Sequence, residues 1–583
     1  MAELKTHSSE RLKKEPIPIG SMNETFIEYY RKQMVPAQLT NEEFEQMIST
    51  FKTPLPSVFR VTSNLIQSEM EEHFDELRKN GVDVIKLDVF PEEYGKIYKL
   101  SLEKALLRRD QKYQEFRKWL QLQTKLGQCH RQEFVSMITP YFANIEKGNI
   151  VLDTCASPGS KTSQVLTMLN STGLVIANDS DIRRCQPLVH QLQRIGTMNA
   201  MITCQNAQSI NMHGMKFDRV LCDVPCTGDG TIRKNGSAGY NWSPKGGCAE
   251  HGLQRKILRR GLELLNVGGI CVYSTCSLNP IENEAVVNSI LLETKGAVEI
   301  IDTKDMFPKL TRHHGLTNWT VFDLGNSDLS VIYNSPTDVP NQRKQFAHPT
   351  MFPQPQVEGL SNCMRFYPHD YDSGGFFVAV LKKVKEIEEV ENITKPLKPL
   401  REAPYYQLNK VSPNIAQEIQ ETFGLKDFPL DQLYIRDQKA VHNIYLLCKP
   451  LSDLINQHGS EVFRAVNCGT PIFTNISTSK SEKIMVYPCN EGLIYFMKYA
   501  TKRIYDVTPK DMKLMLEVGH SIKYSELESS IEPVESMGCV FQISGTKFIY
   551  GGMTFSSTIS LFLRKDLLQV EHDKLLLAYP SLN

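Results

Sequence analysis

Five short apolar runs, NIVLD, GLVIAN, AMITC, FDRVLCD and GGICVYST, lie between residues 149 and 275 and constrain this chain more than any other feature. They are nearly continuous in apolar character rather than alternating, as strands buried on both faces of a parallel sheet are. Helical patterns separate most of them, so the region reads as an α/β domain with a doubly wound sheet, ending with GGFFVAVLKK near 383. Such sheets bind ligands beyond the carboxyl ends of their strands. The residues that follow each run are therefore the candidates for chemistry.

The rest of the chain divides around this core. Residues 1–20 are polar and lysine-rich and are expected to be flexible. Residues 21–148 read as mainly helical, with amphipathic stretches such as NEEFEQMISTF and SLEKALLRRDQKYQEFRKWLQLQTKL. The core spans 149–385; within it the Pro- and Gln-rich segment 335–357 reads as an exposed loop. Residues 386–404 have the charge and prolines of a linker, and 405–583 read as a small β-rich domain. The two strand patterns on either side of the linker look self-contained, so loss of the second is expected to spare ligand binding by the first.

Composition narrows the class. Lys+Arg and Asp+Glu both number 66, which excludes a polycation but leaves local basic patches open. No apolar run approaches the ~20 residues of a membrane span, so no membrane partner is expected. The start, MAELKTHSSERLKKEP, lacks the apolar core of a secretory signal, and the 14 cysteines then read as reduced thiols. The expected compartment is the nucleus, with the cytoplasm as the other, and the expected state is monomeric.

The turn after the first run is Asp153-Thr154-Cys155-Ala156-Ser157-Pro158-Gly159-Ser160-Lys161-Thr162. Its glycine lets backbone approach a ligand, and the following helix start offers free N–H groups. Both a P-loop and a G-x-G-x-x-G dinucleotide turn are excluded, because Cys155 and Ser160 stand where a P-loop has glycine. The second run ends in Asn178-Asp179, where an acid can bond both ribose hydroxyls of a nucleoside. The third is followed by Asn206, suited to an adenine edge. Together these residues favour a nucleoside cofactor.

The fourth run leads into Asp223-Val224-Pro225-Cys226-Thr227-Gly228-Asp229-Gly230, and the fifth into Thr275-Cys276-Ser277. As parallel neighbours about 4.8 Å apart, these strands would bring Cys226 and Cys276 over one crevice. A soft nucleophile beside a carboxylate suits attack on a pyrimidine ring. Zinc held by Cys222, Cys226, Cys271 and Cys276 is the rival, but the spacing fits no common zinc module, and no metal is expected. Residue types alone leave open which thiol attacks.

CASPGSKT, DVPCTGDGT and YSTCSLNPIENEAVV together resemble the Sun-domain family of RNA cytosine-5 methyltransferases, over about Arg131 to Lys383. TPLPSVFRVT, the RKN at Arg233–Asn235, Trp242-Ser243-Pro244, His251-Gly252-Leu253-Gln254 and SLNPIENE resemble its eukaryotic multisite tRNA methyltransferase branch. The resemblance implies an S-adenosyl-L-methionine-dependent Rossmann-like core with a helical, RNA-binding N-terminal region and a PUA-like C-terminal domain. It implies that Cys155, Ala156, Ser157, Pro158, Gly159, Ser160, Lys161, Asp179, Asn206 and Asp223 hold the cofactor. Asn206 stands where the family usually has aspartate, and Ser160 where glycine is commoner. Cys276 would add to carbon 6 of cytosine and Cys226 assist release, with Asp223 on the base edge and Lys161 bridging to Asp223.

The expected substrate is RNA, most simply tRNA. Lys104, Arg108 and Lys112, spaced by four on one helix, would run along phosphates. Arg255, Lys256, Arg259 and Arg260 form a second basic cluster, and Tyr240 and Trp242 are aromatics able to stack on bases. The rival functions are a DNA cytosine-5 methyltransferase and a non-catalytic RNA-binding protein on the same fold.

Overall fold

The computed structural model describes residues 17–63, 66–323, 329–344, 347–388, 407–436, 442–476 and 485–582. Most of the start expected to be flexible and most of the linker fall outside them. Helices α1 (Glu24–Met34) and α2 (Asn41–Phe51) come first. Thr40 and Glu43 cap α2 reciprocally: Oγ1 of Thr40 accepts from the Glu43 amide at 3.1 Å, and the Glu43 carboxylate accepts from the Thr40 amide at 2.8 Å. The apolar faces of both helices, including Phe26, Tyr30, Phe44 and Phe51, join the main core beside the central sheet.

The region expected to be mainly helical contains a sheet. Strands β1 (Pro56–Val61), β2 (Val84–Lys86), β3 (Lys96–Glu103) and β4 (Cys129–Arg131) pair antiparallel in the order β2–β3–β1–β4 among the described residues. Helix α3 (Gln67–Lys79) lies between β1 and β2 in the chain. Phe59, Phe74, Tyr98, Leu100, Phe116 and Trp119 build a separate core there. The expected single basic helix over 104–125 is two helices, α4 (Lys104–Arg109) and α5 (Gln114–Lys125). Asp110 breaks it: its backbone is extended and its side chain accepts from the Lys112 amide at 3.0 Å, starting a new turn. Lys112 therefore lies outside the helix that holds Lys104 and Arg108.

After α6 (Ile138–Phe142), the five apolar runs form β5 (Ile150–Asp153), β6 (Leu174–Asn178), β7 (Ala200–Thr203), β8 (Phe217–Asp223) and β9 (Leu265–Thr275), all parallel where paired. Helices α7 (Ser160–Leu169), α8 (Ile182–Ile195), α9 (Gly236–Tyr240), α10 (Pro244–Leu264) and α11 (Glu284–Glu293) complete this part. The order β9–β8–β5–β6–β7 means the chain winds outward from β5 one way, then returns to wind the other way. Such a reversal opens a crevice at the carboxyl ends of β5 and β8.

The sheet continues beyond β9. Strands β10 (Val298–Ile300), β11 (His313–His314), β14 (Met364–Phe366) and β15 (Phe376–Lys383) extend it antiparallel, while β12 (Val321–Phe322) and β13 (Ile332–Tyr333) pair with each other. The segment 335–357 is irregular but not the exposed loop expected. Val339, Ala347, Met351 and Phe352 are buried, and Trp319 Nε1 donates to the Met351 carbonyl at 2.8 Å. Apolar residues among the prolines anchor it.

The C-terminal residues begin with β16 (Asn409–Lys410), β17 (Leu433–Ile435) and β18 (Asn443–Leu446), then β19 (Ala465–Cys468), β20 (Thr470–Asn475) and β21 (Val486–Pro488). β16, β17, β18, β20 and β21 form one sheet, and strands between Ile504 and Leu561 form another. β19 joins neither; it pairs antiparallel with β7 and closes the edge of the central sheet. The expected independence of the two strand patterns is thus wrong. An open β7 edge would leave backbone groups unpaired, and a strand from far along the chain covers it.

Candidate active site

The turn from β5 to α7 is built to approach a ligand closely. Gly159 has φ +105°, a left-handed backbone that other residues rarely adopt, and a Cβ there would crowd the Leu188 side chain on α8 at 2.9 Å. Asp153 ends β5 fully inside the protein. Thr162 Oγ1 donates to its Oδ2 at 2.7 Å, while Oδ1 has no hydrogen-bond partner. Burial pushes this carboxyl up to about 7.

Asn178 at the end of β6 is a buried hub. Its amide donates to the carbonyls of Thr154 (3.0 Å) and Gln205 (2.9 Å), and its oxygen accepts from Thr203 Oγ1 and the Gln205 amide. It ties together the ends of β5, β6 and β7. Asp179 follows, its side chain 3% exposed; it accepts from the Asp181 amide at 3.1 Å and lies 3.4 Å from Arg184 Nη2. Arg184 also donates to the Ser157 carbonyl at 3.2 Å, bridging the two turns. Sequence reading assigned no role to Asn178 or Arg184. Asn206 is exposed beyond β7, and its neighbours rest on the C-terminal region: Cys204 N donates to Arg464 O, and Gln205 Nε2 to Phe463 O, both at 3.0 Å.

These features fit S-adenosyl-L-methionine. Two carboxylates at adjacent strand ends, one with an unpartnered buried oxygen, suit a cationic amino acid and a ribose, and the α7 start offers amides.

The other half of the crevice carries the thiols. Register places Asp223 on β8 level with Ser274 on β9, so both strands end together. Asp223 accepts from Ser274 Oγ at 2.8 Å and from Lys161 Nζ at 2.8 Å, the bridge expected from sequence. Lys161, on the first turn of α7, therefore joins the turn after β5 to the end of β8. Just beyond, Cys226 Sγ and Cys276 Sγ lie 3.4 Å apart, both half-buried. Hydrogen bonding to Cys276 and burial together push the Cys226 thiol well above its ordinary value. The loop after Cys226 is stitched down: Gly230 N donates to Cys276 O at 2.9 Å, and a Cβ on Gly230 would meet Gly375 O at 2.2 Å.

The four cysteines proposed as a zinc rival split into two pairs. Cys222 and Cys271 face each other at 3.8 Å inside the sheet, and Cys226 and Cys276 at its end. Among the described residues, the one group with donors close enough to share a cation is His313, His369 and Asp370, and Asp370 already bonds His313 and the Tyr367 amide.

Several expected RNA contacts are occupied within the protein. Trp242 is 5% exposed, packed against Phe26, Tyr29 and Tyr30 of α1, so it is core rather than a stacking platform. Tyr240 is 57% exposed and stays available. Arg233 is buried and clamps Asp372, Ser373, Thr53 and Pro54. Arg255 and Arg259 both bond Glu293, and Arg260 pairs with Glu263. Lys256 remains exposed.

The family model described as 16S rRNA methyltransferase RsmB/F matches residues 140–382. The multisite-specific tRNA:(cytosine-C(5))-methyltransferase trm4b of Schizosaccharomyces pombe is 30% identical over 89% of each chain. The tRNA (cytosine(34)-C(5))-methyltransferase of Drosophila melanogaster is 37% identical over 62% of this chain, and the match spans about half of that relative, 53%. A solved methyltransferase homologue from Pyrococcus horikoshii is 26% identical with a TM-score of 0.44, covering 62% of this chain and 96% of that one. Fold, crevice and relatives define an S-adenosyl-L-methionine-dependent RNA cytosine-5 methyltransferase. The chain belongs to the Sun-domain RNA (cytosine-5) methyltransferase family, in its eukaryotic multisite tRNA methyltransferase branch.

Proposed function

We propose that the protein methylates carbon 5 of cytosine in tRNA through a covalent adduct between Cys276 and carbon 6. The observation that carries this reading is the pair of thiols 3.4 Å apart beside the Lys161–Asp223 bridge. Carbon 5 of cytosine is a poor nucleophile, and the base must leave its stack to be reached. Addition of the Cys276 thiolate to carbon 6 makes carbon 5 enamine-like, able to take a methyl group. S-adenosyl-L-methionine, held by residues 155–161, Asp179, Asn206 and Asp223, supplies that methyl group. Asp223, kept oriented by Lys161 and Ser274, bonds the base edge. A general base then takes the carbon 5 proton, the ring double bond re-forms, and the bond from carbon 6 to sulfur breaks with its electron pair leaving on Cys276 as thiolate. Cys226, its thiol raised by the hydrogen bond to Cys276 and by burial, assists this release.

tRNA as substrate is supported by the names of the relatives, and residues 405–583 are read as a PUA-like module that positions it. The mechanism is tested on a denaturing gel with tRNA and S-adenosyl-L-methionine. Cys226→Ala should accumulate a denaturation-resistant protein–RNA adduct, and Cys276→Ala should give none. An adduct with Cys276→Ala alone would reverse the two roles.

A further inference from the structure

Behind the two thiols lies a buried network that the chemistry above does not use. Thr227 directly follows Cys226, and Ser277 directly follows Cys276. Glu282, 0% exposed, accepts from Thr227 at two points, its amide (2.9 Å) and its hydroxyl (2.6 Å), and from the Ser277 hydroxyl (2.7 Å). Gln254 donates both to Glu282 (3.1 Å) and to the carbonyl of Pro225, just before Cys226 (3.0 Å). One carboxyl group thus holds the chain just after Cys226 and just after Cys276, and through Gln254 it reaches the residue before Cys226.

A second buried carboxyl backs the first. Asp229 accepts from the Leu278 amide (2.7 Å), Trp242 Nε1 (3.2 Å) and the Tyr30 hydroxyl, and the Ser277 hydroxyl reaches it at 3.2 Å. Among the described residues no ion pair involves Asp229 or Glu282. Burial raises both carboxyls, Glu282 to about 7. The charge of Asp229 adds to burial in raising Glu282, so keeping both carboxylates ionised without a cation is costly. Helix α1 seals the site, with Tyr29 donating to Asn279 at 2.9 Å.

We propose that Glu282 is a positioning residue of the methyl transfer: by gripping Thr227 and Ser277 it sets the spacing of the Cys226 and Cys276 thiols. The role rests on the thiol assignment above. Addition and release use sulfurs on two separate loops, and a shared anchor helps keep those loops in register. An angstrom of misplacement at a reacting atom costs on the order of a hundredfold in rate.

The test uses the full chain with Thr227→Val, which keeps the shape but removes the tethering hydroxyl, and Thr227→Ser, which restores it. Two readouts are taken. One is the rate at which diamide, a two-electron oxidant reduced to its hydrazine, couples the two thiols into a disulfide; it reports their spacing without RNA. The other is kcat and KM for tRNA. Thr227→Val should slow disulfide formation and lower kcat, each by about tenfold or more, with KM unchanged, and Thr227→Ser should recover both. An unchanged disulfide rate with Thr227→Val, or no recovery with Thr227→Ser, overturns the proposal. Should Thr227→Val fail to fold, Glu282→Gln, of equal size, is read the same way. Cys276→Ala separates the two layers: if it still methylates, the thiol assignment falls and this role with it. If Cys276→Ala is inactive while Thr227→Val retains full kcat, only the positioning role falls.

Discussion

Two pairs of cysteines sit on the same two neighbouring strands with nearly the same sulfur separation. Cys226 and Cys276 are 3.4 Å apart beyond the ends of β8 and β9, half-buried. Cys222 and Cys271 are 3.8 Å apart within those strands, fully buried, with α10 packed so closely that a Cβ on Gly261 would meet Cys222 Sγ at 2.7 Å. Composition and spacing scarcely separate the pairs; place along the strand does. Inside the sheet a thiol is a small apolar filler. Past its end, loops let it meet solvent and a substrate.

Single substitutions in each pair give the largest contrast. Cys276→Ala should lose methyl transfer by on the order of a thousandfold or more, because the nucleophile is gone, while the melting temperature stays near that of the parent. Cys271→Ala should keep its activity per folded molecule and lose about 1–2 kcal/mol of stability through a small buried void. Radiolabelled methyl incorporation and thermal melts read the two. Loss of activity in folded Cys271→Ala would erase the distinction between strand interior and strand end.

The same boundary is drawn one residue wide on β6. Asp179→Ala removes a charged hydrogen-bonding group at the cofactor end, worth ~1.5–3 kcal/mol, so affinity for S-adenosyl-L-methionine should fall about ten- to a hundredfold without unfolding. Asn178→Ala leaves the carbonyls of Thr154 and Gln205 without the donors they have now. It should cost at least about 2 kcal/mol of stability, since buried groups left unpaired lose ~1–3 kcal/mol each. Calorimetry and denaturant titration measure them; unaltered cofactor affinity in Asp179→Ala removes that residue from the site.

The strand-end geometry was legible because it is local. Each apolar run and the polar residues after it are contiguous, so β5 to β9 and the meeting of Cys226 with Cys276 followed from short stretches, while the Lys161–Asp223 bridge was implied by the family resemblance. What escaped was assembled from afar. β2 and β4 have three residues each, too few to show a period, and β2 meets β3, and β4 meets β1, only after the chain folds back. Nothing near Ala465–Cys468 marks it as the edge partner of β7. Trp242 reads as a loop aromatic until α1, far earlier in the chain, covers it. The break at Asp110 was visible in residue type, but a basic periodicity running through it outweighed one capping side chain.

The last comparison concerns Asp153, the carboxyl at the inner end of β5. Burial raises it from the ordinary value near 3.8 to about 7, so between these values the folded protein binds a proton that the unfolded chain has released. Its contribution to stability is therefore fully present below about pH 4 and is lost as pH rises through about 7, the reverse of a salt-bridged aspartate. Asp153→Asn keeps an acceptor for Thr162 and cannot ionise. Its melting temperature should match the parent near pH 4 and exceed it at pH 8, with a flatter profile between. Melts of both proteins without cofactor at matched ionic strength provide the measurement. Parallel curves for parent and variant from pH 4 to 9 would show that Asp153 is ionised throughout and place it with the solvated strand-end residues rather than with the buried ones.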